Sequence, residues 1–230
     1  MQTGARLLAV VIVICCTAAS PAPKLQASEA VSAQSILAHM VQNRRGLNSF
    51  TVPIHFDVTV HKVVSVAIQL DGTRYFERPD REALIMQTVP AIAQPFQKIF
   101  SGLGTAETWP QTYDISMMPL RSPESSSTYE LKGVPKAGGN VAYILLDVSQ
   151  TTYEPLEARW FYKNGAMIVL GVQNALASGR YLLPKTETID IDFPAYKAHA
   201  VAHYGEYAIN TPIPESIWPS PTPASPPKAG

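Results

Sequence analysis

Between Val52 and Val60 every even position is apolar (Val52, Ile54, Phe56, Val58, Val60) and every odd one is not (Thr51, Pro53, His55, Asp57, Thr59, His61). A period of two is the signature of a strand with one wet face and one dry face. The pattern breaks at Lys62-Val63 and resumes as Val64, Val66, Ile68 and Leu70 against Ser65, Ala67, Gln69 and Asp71. A single strand of this length would run roughly 65 Å, against the ~17–20 Å that is usual, so the run must bend or split near Lys62. Large amphipathic strands of this kind require an antiparallel sheet whose apolar face is covered by something else.

The chain has 230 residues, and its first stretch reads as a targeting segment. Arg6 supplies a positive start, Leu7 to Ala19 is an apolar run too short to span a bilayer comfortably, and Leu25-Gln26-Ala27 places a small residue before a cut. Residues 1–27 are therefore expected to be a secretory signal peptide, with an uncleaved anchor as the alternative. Both cysteines, Cys15 and Cys16, lie inside it, so the expected mature chain has no disulfide and is held by one ordinary core. Removing Arg6 and Lys24 from 18 basic residues against 18 acidic ones leaves a net charge near −2, which gives no electrostatic case for nucleic acid. The expected location is periplasmic or secreted.

Ser28 to Arg45 has helical spacing, with Val31, Ile36, Leu37, Met40 and Val41 to one side and Gly46 as the stop. Asp71-Gly72 reads as a turn, and Glu82 to Val89 as a further strand. From Pro90 to Gly102 the residues Ile92, Phe96, Ile99, Phe100 and Leu103 recur at threes and fours, predicting a short amphipathic helix. It either plugs the concave side of the sheet or packs on its outside. Trp109 to Ser127 reads as loop. Strands are predicted over Thr128 to Gly133, Val141 to Ser149, Pro155 to Tyr162, Ala166 to Gln173, Tyr181 to Phe193 and His199 to Ile209. Short connections, including Lys163-Asn164-Gly165, imply an antiparallel meander. Seven prolines after Asn210 predict an extended, disordered tail over residues 212–230, its first part pinned by Ile213, Ile217 and Trp218.

The order of these parts resembles the outer-membrane lipoprotein carrier (LolA-like) family. The resemblance rests on Leu47-Asn48-Ser49-Phe50, Arg74-Tyr75-Phe76-Glu77-Arg78-Pro79-Asp80, Tyr129 to Lys136, Trp160 to Val172, Leu183-Pro184 and Tyr204 to Asn210. It implies a β-rich α+β half-barrel over residues 28–211: a curved antiparallel sheet with the N-terminal helix and a short lid or plug helix on its concave side, around an apolar pocket for acyl chains. In carriers of this family the arginine of the Arg-Pro motif helps hold the lid closed, and Arg78 matches that position. The chain departs from the family pattern where Pro90 to Gly102 replaces a hairpin.

The expected function is non-catalytic: a carrier for a lipid or for the acyl chains of a lipoprotein. Each buried methylene contributes about 0.8 kcal/mol without any polar contact. Expected ligand-binding positions are Ile54, Phe56, Val58, Val66, Ile68, Leu70 and Trp160 on the sheet, Arg78 at the strand end, and Ile92, Phe96, Ile99 and Phe100 on the lid. The competing expectation is an interaction or envelope-sensing module whose core is filled by these same side chains. Expected partners are a lipid or acylated lipoprotein and a membrane-associated donor or acceptor protein, with the carrier itself a monomer.

Catalytic and metal signals are weak. Four residues apart on a strand, His199 and His203 would sit roughly 13 Å from each other, too far to share a zinc. Asp190 and Asp192 lie among Thr186, Glu187 and Thr188, the pattern of an exposed polar face. Gly102-Leu103-Gly104 lacks the flanking strand and third glycine of a nucleotide fingerprint, and no Gly-x-Ser-x-Gly elbow occurs. Neither a metal nor a cofactor is expected.

Overall fold

The computed structural model describes residues 31–87, 105–119 and 127–218. The expected signal peptide, the lid helix with Ile92, Phe96, Ile99 and Phe100, and the end of the proline-rich tail lie outside these residues.

Helix α1 spans Ala33–Asn43. The Ser32 side chain accepts from the Ser35 amide and the Ser35 hydroxyl oxygen accepts from the Ser32 amide, a reciprocal cap that starts α1 at Ala33. Ala33, Ile36, Leu37 and Met40 form its buried stripe. Val31 precedes the helix and is exposed. Gly46, at φ +83°, turns the chain out of the helix in a conformation that L side chains rarely adopt.

The long alternating run splits as its length demands. Strands β1 (Ser49–His61) and β2 (Ser65–Glu77) form a hairpin of two 13-residue arms that turns at Lys62. All five even-numbered apolar residues of β1 from Val52 to Val60 are buried. Asp71-Gly72 is not a turn; β2 passes straight through it, pairing Gly72 with Ile54 on one side and with Met86 of β3 (Arg81–Met86) on the other. Gly72 has a different use: a Cβ there would lie 3.0 Å from the Ile85 carbonyl oxygen, so the glycine admits the close approach of β3.

The segment expected as loop after Trp109 holds one helical turn, α2 (Trp109–Thr112), and strand β4 (Tyr113–Met117). Tyr113, Ile115 and Met117 alternate toward the core, but five residues between prolines carry too little periodicity to stand out. The meander follows as β5 (Thr128–Pro135), β6 (Val141–Ser149), β7 (Pro155–Tyr162), β8 (Met167–Ala177), β9 (Tyr181–Phe193) and β10 (Tyr196–Tyr204). Gly165, at φ +83°, closes the predicted tight turn between β7 and β8.

The last predicted strand is interrupted, leaving β11 (Ala208–Ile209) to pair separately with Phe50 and Thr51 of β1. The cause is Pro53. Its carbonyl accepts from the Gly205 amide at 2.9 Å, and its missing N–H falls on the same side of β1, where the partner strand breaks. A Cβ at Gly205 would sit 2.7 Å from the Pro53 ring, so glycine is needed there.

The strands form one curved antiparallel sheet in the order β3-β2-β1-β10-β9-β8-β7-β6-β5-β4. Its register lines up an apolar row across the concave face: Val58, Ala200, Ile189, Leu170, Ala158, Leu146 and Leu131. Two small alanines, Ala200 and Ala158, interrupt the branched residues, which lets the sheet bend while its inner face stays packed. Beyond β11 the chain runs back along the sheet; Thr211 accepts from the Ser49 hydroxyl, and the buried ring of Trp218 lies 4.4 Å beneath the Arg81 guanidinium.

Candidate ligand site

Next to the apolar row, toward the α1 end of the half-barrel, the concave face becomes polar. Arg74 on β2, Glu82 on β3, Glu187 on β9 and Tyr204 on β10 converge from four strands. The Arg74 guanidinium donates through Nη1 to the Tyr204 hydroxyl at 3.0 Å and through Nη2 to Glu82 Oε2 at 3.2 Å, and Nη1 lies 3.8 Å from Glu187 Oε1. Tyr204 passes the interaction on, donating to Glu187 Oε2 at 2.6 Å. Burial alone would depress the Arg74 guanidinium, but the surrounding oxygens hold it well above its usual range. Burial also pushes the Tyr204 hydroxyl well up and the Glu187 carboxyl up, the latter against the pull of Arg74 and Tyr204.

Around this group opens a cavity of about 100 Å³. Met40 and Leu47 from the α1 side, Phe50 and Phe76 from the hairpin, and Trp109 and Val172 form its apolar walls. Arg44 and Glu154 form a second ion pair on the wall at 3.1 Å, and burial raises the Glu154 carboxyl above its ordinary value. Arg78 makes a third set of contacts: it donates to the Leu47 and Arg44 carbonyls at 2.7 and 2.8 Å and pairs with Glu107 at 2.9 Å. It thus ties the C-terminal end of α1 to the segment that carries Trp109. A smaller apolar cavity of about 30 Å³ lies among Tyr113, Ile115, Leu131, Ile144 and Leu146, and Trp109 lines it as well. Trp109 is thus common to the walls of both spaces.

Of the positions expected to bind ligand, Arg78 lines the larger cavity. Ile54, Phe56, Val58, Leu70 and Trp160 are buried in the core cluster, and Ile68 packs against it half-buried. Val66 is 38% exposed near the tip of the β1–β2 hairpin. Sequence reasoning missed Arg74, Glu82 and Tyr204, and it took Glu187 for part of an exposed polar face. Glu187 is in fact 6% exposed and faces inward. Parity was the signal that could have found them: Glu187 shares the inward phase of Ile189 and Ile191, and Tyr204 that of Ala200 and Ala202. Asp190 and Asp192 do face outward, where they pair with His199 at 2.7 Å and Lys197 at 2.9 Å.

A carboxyl whose folded pKa is raised binds its proton more tightly in the native state than in the unfolded one. Glu187 therefore makes the fold less stable as pH rises from about 4.5, its unfolded value, through the higher folded value. Glu187→Gln should flatten this part of the stability profile. The check is the urea midpoint of both proteins between pH 4 and 8; an unchanged slope would show that Glu187 does not titrate in this window.

No family model and no curated protein matches the sequence. Solved structures do. A LolA superfamily protein from Nitrosomonas europaea aligns with a TM-score of 0.55 at 14% identity, over 83% of this chain and 98% of that one. A DUF1329 family protein from Desulfovibrio piger aligns with a TM-score of 0.56 at 12% identity, over 79% and 93%. The domain of a putative outer membrane lipoprotein-sorting protein from Vibrio parahaemolyticus aligns with a TM-score of 0.52 at 10% identity, again over 79% and 93%. At these identities the likeness speaks for architecture and not for activity. With its sheet order, its N-terminal helix and these alignments, the chain has the LolA-like half-barrel fold.

Proposed function

We propose that this protein is a non-catalytic carrier or binding protein for a hydrophobic ligand, a lipid or the acyl part of a lipoprotein, held on the concave side of the half-barrel. The observation that carries the reading is the open cavity at the α1 end, with Met40, Leu47, Phe50 and Phe76 in its wall, which shares the Trp109 side chain with a second, apolar space. At about 100 Å³ the larger cavity is smaller than the ~150 Å³ that takes up a benzene, so a full acyl chain needs further room, which a swing of the Trp109 ring would supply. Arg78 then sets how firmly the Trp109 segment is held, through its ion pair to Glu107. The N-terminal apolar run directs export, and a membrane-associated protein delivers or receives the ligand.

The second reading is an interaction module without a transported ligand. It is favoured by the close packing of the apolar row beyond the cavity, where Ala158 and Ile189 are fully buried. Two measurements decide between the readings. Organic extraction of the purified protein should release co-purified lipid, and an uncharged solvent-shift probe such as N-phenylnaphthylamine should bind saturably. A lipid-free protein that ignores the probe would leave only the interaction module. Trp109→Leu should join the two cavities and raise probe affinity about tenfold, the gain from burying roughly two more methylene equivalents. Unchanged affinity in the folded variant would show that the Trp109 ring does not limit the space.

A further inference from the structure

The turn of the β1–β2 hairpin carries an apolar pair that the fold does not use. It reads Lys62-Val63-Val64, with Val63 93% exposed and Val64 70%. Turns are ordinarily made by Gly, Asn, Asp or Ser, and at these exposures neither valine packs on the core. The register sets this turn beside three others at the same end of the sheet: His61 pairs with Lys197, Lys197 with Asp192, Asp192 with Met167 and Met167 with Phe161. The other turns are Pro194-Ala195 after β9, Lys163-Asn164-Gly165 after β7 and the segment from Lys136 to Asn140 after β5. The Lys163 amide donates to the Asn140 carbonyl at 2.8 Å and ties two of them together.

A lysine directly follows the strand at three of the four turns (Lys62, Lys136, Lys163), and Lys197 is the second residue of β10. The acids at this end are Asp192, 2.9 Å from Lys197, and Asp114, 3.7 Å from Lys136. One step further from the tip Asp190 is taken up by His199. Lys62 and Lys163 are exposed and form no ion pair among the described residues. Positive charge is thus in surplus here, in a chain whose basic and acidic residues balance at 18 each. Half-buried aromatic rings lie behind the lysines: Phe193 meets Tyr162 edge-on at 5.3 Å and stands 5.4 Å from Tyr196. An exposed aliphatic tip flanked by unpaired ammonium groups and backed by tyrosines matches the headgroup layer of a bilayer, where apolar side chains enter the acyl boundary and lysines meet lipid phosphates.

We propose that this end of the half-barrel docks on an anionic lipid bilayer, with Val63 and Val64 inserted at the headgroup boundary and Lys62 and Lys163 on the phosphates. The surface lies at the opposite end of the sheet from the cavity among Met40, Phe50 and Phe76, so it stands whether or not that cavity holds a ligand.

The full chain and its variants are sedimented with vesicles of phosphatidylcholine alone or with equal parts of phosphatidylglycerol. The parent should bind the anionic vesicles at least about tenfold more tightly than the neutral ones. Val63→Ser with Val64→Ser should weaken that binding at least about tenfold, and Lys62→Gln with Lys163→Gln about tenfold, with melting temperatures unchanged because all four side chains are exposed. Leu176→Ser, which removes a side chain 60% exposed at the far end of β8, should bind as the parent does. Hydrogen exchange over residues 61–66 should slow on anionic vesicles, a local readout that the N-terminal apolar run cannot produce. The proposal is overturned by a parent that stays in the supernatant, by equal affinity for the two vesicles, by double variants that bind like the parent, by a Leu176→Ser loss as large as theirs, or by unprotected hairpin amides.

Discussion

Replacing Arg74 by methionine should destabilise the fold by about 3–5 kcal/mol, because it leaves Glu82 and Glu187 facing one another without a counter-charge in a largely dehydrated site. The guanidinium is the only cation within contact distance of either carboxylate among the described residues. It also accounts for the orientation of Tyr204, whose hydroxyl accepts from Arg74 and donates to Glu187. For a domain of this size the loss corresponds to a fall of roughly 10 °C in melting temperature. The decisive comparison is the triple variant Arg74→Met, Glu82→Gln, Glu187→Gln. Removing a whole buried ionic group is often near neutral, so the triple variant should regain most of the stability that the single one loses. A single variant within 1 kcal/mol of the parent, measured by urea unfolding, would mean that water reaches these carboxylates freely and that the site is not the low-dielectric pocket described here.

Phe56→Ala should cost a similar amount, about 3–5 kcal/mol, for a different reason. Phe56 is fully buried in the middle of β1, opposite Leu70 on one side and Ala202 on the other, and none of these side chains can collapse far into the space its ring would vacate. Its role differs from that of the cavity wall. The Phe56→Ala protein that remains folded at low temperature should bind the neutral probe with the parent's affinity, since Phe56 does not line the cavity. A variant that keeps its stability but loses probe binding would reverse this assignment and place the ligand against β1, as the alternation alone suggests.

How much was legible beforehand depends on the range over which each property is set. The hairpin arms, the meander and the N-terminal helix follow from local periodicity, and β6, β7 and β9 begin and end where the pattern does. Strand β4 escaped because its period-two signal lasts five residues between prolines. Asp71-Gly72 misled because a glycine required for close strand approach has the same one-letter signature as a glycine required for a turn. The split of the last strand into β10 and β11 is written in Pro53, about 150 residues earlier in the chain, and only its pairing with Gly205 makes that effect visible.

The sequence by itself determined the phase of each strand, and with it which side chains turn inward, Arg74, Glu187 and Tyr204 included. It also determined that the sheet would be antiparallel and amphipathic, because hydrophobic alternation acts on neighbours in the chain. Only the tertiary structure decided which inward residues meet. Residues 74 and 187 come together because β1 and β10 lie between their strands in that register, and a shift of two residues would keep every parity yet part the guanidinium from its carboxylates. A buried charge is tolerable only beside its counter-charge, and that proximity is a property of strand order and register, which no local pattern encodes.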